Sequence, residues 1–187
     1  MDYDWEVGLI IGLAGKKQVG KSTAAKVLID AGFHWFSFAD PMKVFARDLL
    51  HAIGLSHEVI DYHMTYKEKI IPNLPNVTMR HLLQTLGTDW GRNMIHPDLW
   101  VFAASRAVMR SGIGGNGSLV FEDVRFENEA SFIREHGGLV IHIVRDANEV
   151  DPHASESGIA FADKDPIIIN DGSLEQFRLV VLAAAGI

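Results

Sequence analysis

Gly15-Lys16-Lys17-Gln18-Val19-Gly20-Lys21-Ser22-Thr23 decides the fold. The stretch fits the pattern G-x-x-x-x-G-K-[ST] with every fixed position filled, and its flanks fit as well. Gly8-Leu9-Ile10-Ile11-Gly12-Leu13-Ala14 before it reads as a buried strand, and residues 22–31 after it read as a helix closed by Gly32. Strand, glycine loop and helix in that order make a phosphate-binding loop. The glycines let backbone N–H groups turn inward around phosphate oxygens, and the helix N-terminus adds partial positive charge. On this reading Gly15, Lys17, Val19, Gly20, Lys21, Ser22 and Thr23 surround the phosphates of a nucleoside triphosphate. Lys21 reaches the β- and γ-phosphates, and the Ser22 hydroxyl holds Mg²⁺. The loop names a triphosphate but not the group that receives its phosphate.

Composition narrows the rest. The 187 residues suit one compact domain, and 48% hydrophobic content is enough for a sizeable core. No apolar run approaches the ~20 residues of a membrane span, so no membrane partner is expected. The start, Met1-Asp2-Tyr3-Asp4-Trp5-Glu6, is acidic and unlike a secretory signal. The absence of cysteine excludes disulfides and thiolate zinc sites and is compatible with a cytoplasmic protein. The nine histidines show no metal-ligand spacing. A formal charge of −7 argues against nucleic acid as the main partner. An anionic substrate must therefore be drawn by a few basic groups focused in a cleft.

Outward from the loop, Phe33-His34-Trp35-Phe36-Ser37-Phe38 is aromatic and strand-like and ends at Ala39-Asp40-Pro41. Asp40 before a proline suits a helix cap, and it equally suits a place facing the phosphates. Lys43 lies in the first turn of that helix, where cations are disfavoured, which makes it a candidate phosphate ligand. Residues 54–77 are polar and mixed, with Pro72 and Pro75, and read as an excursion from the sheet. Thr78 caps a helix over residues 79–86, on which Arg80, Gln84 and Gly87 share one face. Gly87 suits a helix stop, and residues 87–92 read as a tight turn carrying Arg92. Asp98 caps a helix over residues 99–110. Trp100 in its first turn suits core packing, or stacking on a base.

Leu119-Val120-Phe121 reads as a buried strand that runs into Glu122-Asp123-Val124-Arg125. Acids at the C-terminal end of a core strand sit where ligands bind in open α/β sheets. Asp123 suits either a Mg²⁺-bound water or hydrogen bonds to a substrate, and Arg125 beside it suits phosphate chemistry. A helix carrying Glu129 follows over residues 128–136. Residues 139–144 form a further strand ending at Arg145, with His142 read as structural. Residues 146–165 suit a lid, and 166–169 a last strand before the turn Asn170-Asp171-Gly172. Strands beginning near residues 8, 33, 119, 139 and 167 alternate with helices. That pattern predicts a P-loop α/β fold, a five-stranded parallel sheet layered between helices.

The motifs combine into a family likeness. Phe38-Ala39-Asp40-Pro41-Met42-Lys43, then Arg80-x-x-x-Gln84-x-x-Gly87-Thr88-x-x-Gly91-Arg92, then Asp123-Val124-Arg125-Phe126-x-Asn128-Glu129, then Asn170-Asp171-Gly172 resembles the phage-type deoxynucleoside monophosphate kinases. The resemblance covers almost the whole chain and implies a single kinase domain over 1–187. Residues 54–98 would then be its monophosphate-binding region and 146–165 its lid. It implies transfer of the γ-phosphoryl of ATP, with Mg²⁺, to a deoxynucleoside monophosphate. Arg80, His81, Gln84, Gly87, Thr88 and Trp100 would form the monophosphate and base site, completed by Asp123, Arg125 and Glu129. Asn170 and Gly172 would lie near the adenine of ATP. Asp40, Lys43 and Arg92 join the acceptor set, Lys21, Arg125 and Arg145 the catalytic set, and Ser22 and Asp123 the metal set. Relatives suggest a homodimer. A P-loop kinase for another small acceptor, such as dephospho-coenzyme A, is the alternative. A guanine-reading switch lacks its Asn-Lys-x-Asp segment, and a motor ATPase lacks a partner domain.

Overall fold

In the computed structural model, β1 (Ile10–Ala14) leads into the glycine loop and is buried at every position. The structure describes residues 8–111, 113, 117–146 and 159–187. β1 lies at the centre of a parallel sheet. On one side of it come β3 (Leu119–Phe121) and then the edge strand β2 (His34–Phe36). On the other side come β4 (Leu139–Val144) and then β5 (Ile167–Ile169). The register sets Ile11 beside both Val120 and Leu139, and Ile143 beside Ile168.

Alternation along the strands assigns the two faces. Ile11 and Leu13 join Val120, Ile141 and Ile143 in a cluster with Ala24, Ala25 and Leu28 of α1 (Lys21–Asp30) and Phe177 and Val181 of α7 (Leu174–Ala185). Gly12, one position out of step, faces α6 (Glu127–Glu135), where an added Cβ would stand 2.5 Å from Ile133 Cδ1. The predicted α/β class and parallel five-stranded sheet are therefore observed. β2 is shorter than the predicted run over residues 33–38, because as an edge strand it has only the three-residue β3 to pair with.

The chain divides into two compact units, one of Met1–Ser37 with Val108–Ile187 and one of Phe38–Ala107. The sheet belongs to the first. The second is helical: α2 (Asp40–Ala52), α3 (His57–Thr65), α4 (Met79–Gln84), a π-helix (Thr85–Ile95) and most of α5 (Leu99–Arg110). Ala46, Leu50, Leu55, Ile60, Ile71, Met79, Leu83 and Leu86 form its core.

Three expectations change. Residues 54–77 are no featureless excursion: Ser56 caps α3 by accepting from the Val59 N–H, and Leu55, Ile60 and Ile71 are buried. Asp40 is not the cap of α2. The helix begins at Asp40 itself after Ala39, and the carboxylate accepts from Lys43 Nζ at 2.7 Å. That i,i+3 pair explains a cation in the first turn without a ligand. Gly87 does not stop a helix, because α4 continues into the π-helix and residues 87–92 form no tight turn. Of the expected lid, residues 147–158 lie outside the described residues. Ile159 is buried and the Ala160 N–H donates to Glu127 Oε2 at 2.9 Å. Asp165 Oδ2 accepts from Arg134 Nη2 at 2.5 Å, and its Oδ1 accepts from the Val140 N–H at 3.2 Å.

That buried knot also explains His142, whose Nε2 lies 3.4 Å from Asp165 Oδ2. Burial, the largest influence, holds the imidazole pKa below its ordinary value and outweighs the attraction of Asp165. For Asp165 burial alone would raise the pKa. Arg134 and the N–H groups of Val140 and Ala162 overcome this and hold it below the usual carboxylate value.

Candidate active site

The site in the first unit is built where four strands end. β1 turns at Gly15, whose φ of 140° and 2.3 Å approach of an imagined Cβ to the Ile143 carbonyl exclude a side chain. Gln18 is held at φ 69°, a left-handed conformation costing about 1 kcal/mol for a non-glycine residue. The loop closes at Gly20, left-handed at φ 115°, where a Cβ would stand 2.6 Å from Asn170 Nδ2. α1 then begins with no side-chain cap and no acid in its first turn. Its leading N–H groups and partial positive charge are thus not answered by the chain's own carboxylates in that turn.

The neighbouring strand ends brace this loop. Asn170, after β5, donates from Nδ2 to the Val19 carbonyl at 2.7 Å. Arg145, after β4, donates from Nη2 to the Gln18 carbonyl at 3.2 Å. Lys21 Nζ curls over the loop and donates to the Gly15 and Lys16 carbonyls, each at 2.6 Å. Its pKa is lowered, first by burial and then by the positive charge of Arg125, with Glu122 opposing. A partly desolvated cation that feels the charge of a second makes a place that favours anions.

Past the end of β3, Asp123 Oδ2 accepts from the Ser37 hydroxyl at 2.6 Å. Glu129 is almost wholly buried, and its Oε2 accepts from the N–H groups of Arg125 at 2.8 Å and Phe126 at 3.2 Å. It shapes the turn that presents Arg125. Gly172 abuts Gln176, whose Oε1 accepts from the Ser173 N–H at 2.8 Å in the capping box of α7. Lys17 and Ser22 are exposed and Thr23 half-buried.

Mg²⁺ takes one or two protein oxygens and completes its shell from water and substrate phosphates. The hydroxyl of Ser22 and the half-buried carboxylate of Asp123 are hard oxygen donors of that kind. No group of three His, Cys, Asp or Glu side chains suited to a metal exists among the described residues.

The second unit carries the remaining candidates. Arg80, His81, Gln84 and Thr88 are exposed, and Arg92 is half-buried with Nη1 donating to the Pro97 carbonyl at 3.2 Å. Arg80 pairs through Nε with Glu68. A Cβ on Gly87 would meet Met42 Sδ at 2.8 Å. Trp100 is buried, and its Nε1 donates to the Gly87 carbonyl at 2.9 Å. Of its two expected uses, the structure shows core packing.

Sequence reasoning missed Ser37, Glu122, Glu68 and the near-parallel stack of Phe45 on Trp90, with ring centroids 5.6 Å apart. Only Glu122 carried a signal, as the neighbour of Asp123 at a strand end.

A sequence profile for deoxynucleotide monophosphate kinase matches residues 50–181. A protein of Acanthamoeba polyphaga mimivirus, provisionally named as a deoxynucleotide monophosphate kinase, is 35% identical over 192 residues, covering 94% of this chain and 95% of its own length. The deoxynucleotide monophosphate kinases of Enterobacteria phage T4 and Escherichia phage RB69 are 34% and 37% identical over 53% of this chain. Those matches cover only 42% and 41% of the two phage proteins. The profile begins beyond residue 23, so the glycine loop and the profile are independent observations.

Proposed function

The chain belongs to the deoxynucleotide monophosphate kinase family, and from that premise we propose that it moves the γ-phosphoryl group of ATP to the 5′-phosphate of a deoxynucleoside monophosphate. An acceptor phosphate oxygen forms the new bond to the γ-phosphorus. The bond from that phosphorus to the β–γ bridging oxygen breaks, leaving ADP and the deoxynucleoside diphosphate. The glycine loop, with Lys21 folded over it and an uncapped helix N-terminus behind it, carries this reading. Phosphoryl transfer needs positioning and charge neutralisation rather than covalent help, and Lys21 and Arg125 are the cations proposed to supply the second.

The roles follow from placement. The loop N–H groups and Lys21 hold the ATP phosphates, with Lys21 leaving the Gly15 and Lys16 carbonyls to reach them. Asn170 and Arg145 keep the loop in its anion-binding shape through Val19 and Gln18. Arg145 also bridges the transferring group. Arg125, presented by the turn that Glu129 ties, neutralises charge on that group. Ser22 and Asp123 would hold Mg²⁺, which supplies Lewis-acid stabilisation of the phosphate oxygens. In the second unit Arg80, Gln84, Thr88 and Arg92 hold the acceptor, with His81, Gly87, Asp40 and Lys43 beside them.

Nothing in the fold or the similar proteins favours dephospho-coenzyme A as acceptor. The substrates are small molecules, and no helix among the described residues is long and apolar enough to cross a membrane. The reading includes no nucleic-acid partner, a place in the host cytoplasm, and a homodimer that light scattering checks. A coupled assay of ADP release over deoxy- and ribonucleoside monophosphates, with Lys21→Ala as the blank, tests it. Release should depend on a deoxynucleoside monophosphate. Equal release across the panel and without acceptor overturns the reading.

A further inference from the structure

We infer that Trp100 is a positioning residue for acceptor binding, which acts by holding residues 85–95 in the wide register of a π-helix. The inference rests on the reading of Arg80, Gln84, Thr88 and Arg92 as the acceptor stripe. These four residues are spaced four apart across the junction of α4 and the π-helix.

In an α-helix a step of four residues overshoots a full turn by about 40°, so three such steps carry a side chain about 120° around the axis. A stripe from Arg80 to Arg92 on one α-helix would wrap well away from a single ligand. In a π-helix the i→i+5 bonds place more than four residues in each turn, so a four-residue step falls short instead. α4 carries the first step, Arg80 to Gln84, forward. The π-helix carries the next two, to Thr88 and Arg92, back. The change of register thus cancels the drift and gathers all four on one side.

The wide register is directly visible. The His96 N–H donates to the Gly91 carbonyl at 3.0 Å, five residues back. The Leu86 carbonyl stands 2.8 Å from the position of a Gly91 Cβ, again five residues away. Trp100 meets this segment twice. Its indole N–H bonds the Gly87 carbonyl at 2.9 Å, and its Nε1 and Cε2 lie 2.5 and 2.8 Å from where a Gly91 Cβ would sit. A side chain that bonds a helix carbonyl and lies against the next turn competes with the i→i+4 ladder, which is one way a helix is opened or bent. Gly91 leaves room for this, while the bare Cα of Gly87 admits Met42 of α2.

The test measures KM separately for ATP and for the deoxynucleoside monophosphate that turns over fastest. Trp100→Phe keeps a flat ring but removes the N–H, and Gly91→Ala sets a Cβ against both the indole and the Leu86 carbonyl. Both should raise KM for the monophosphate, about five- to tenfold for one lost hydrogen bond, and leave KM for ATP unchanged. Were Trp100 a base-stacking platform, Trp100→Phe would keep the monophosphate KM, and the inference would be overturned. It is overturned too if both KM values rise together, or if only the melting temperature falls. Gln84→Ala is run beside them. If it raises the monophosphate KM and the two variants do not, the positioning role falls while the acceptor reading stands. If Gln84→Ala leaves that KM unchanged, the acceptor reading falls and the inference with it.

Discussion

The glycine loop of the first unit and the stretch over residues 79–95 of the second are held in shape by opposite means. The loop is fixed by backbone. Its glycines take conformations that side chains refuse, and two strand ends reach in to bond its carbonyls. The helical stretch is fixed by side chains, above all by an indole that bonds a carbonyl and fills the space a glycine leaves open. A site made of backbone tolerates few residues at a fixed spacing and so reads as a motif. A site made of side chains on a helix reads only as well as the helix register is known.

Variants separate the two regions, beginning with the largest expected effect. Arg125→Ala should lower turnover about 10³-fold with folding intact, since an arginine that neutralises a transferring phosphoryl group is worth that much or more. Near wild-type turnover in a coupled assay would remove Arg125 from the chemistry.

Arg134→Ala should act on stability rather than on either site. It leaves Asp165 buried without its cation, at about 3 kcal/mol, measured by urea titration. The same knot sets an acid limit. The Asp165 pKa is lower in the fold than the ordinary 3.8, so its contribution is complete above that value and is lost as pH falls through the lowered one. An Arg134→Ala protein as stable as the parent would show that the segment 159–165 is held by other means.

Asn170→Ala loosens the loop by one hydrogen bond and should raise KM for ATP about tenfold with that for the monophosphate unchanged, the mirror image of Trp100→Phe. Equal rises in both would erase the contrast between the regions. The smallest effect is a proton. Lys21 titrates below its ordinary value in the free protein, and bound phosphates favour its charged form. At alkaline pH ATP binding should therefore take up protons, and affinity should weaken as pH rises through the lowered pKa. Calorimetry in buffers of different ionisation heat reads the uptake, and heats independent of buffer would place Lys21 away from the phosphates.

The same contrast explains what was legible in the sequence. Buried strands around residues 10, 119 and 139, the loop and its helix follow from apolar runs and glycine spacing, and all stand in the structure. The π-helix was hidden because Gly87 and Gly91 signal a turn unless Trp100 is known to lie against them. α3 was hidden by a mixed surface, with Ile60 and His63 its only buried positions. The acidic, patternless residues before Asp165 gave no sign that one carboxylate is buried on Arg134. Glu129 entered the acceptor site through the family resemblance, and its bonds to two backbone N–H groups depend on a turn no pattern specifies.

One measurement bears most directly on the central claim, that the loop and the cations beside it pass a phosphoryl group to another nucleotide. It is to follow γ-labelled ATP and a deoxynucleoside monophosphate by phosphorus NMR over one turnover. The account predicts that the label arrives as the β-phosphate of the deoxynucleoside diphosphate, in step with ADP. Label appearing as inorganic phosphate, with the monophosphate unchanged, would contradict it.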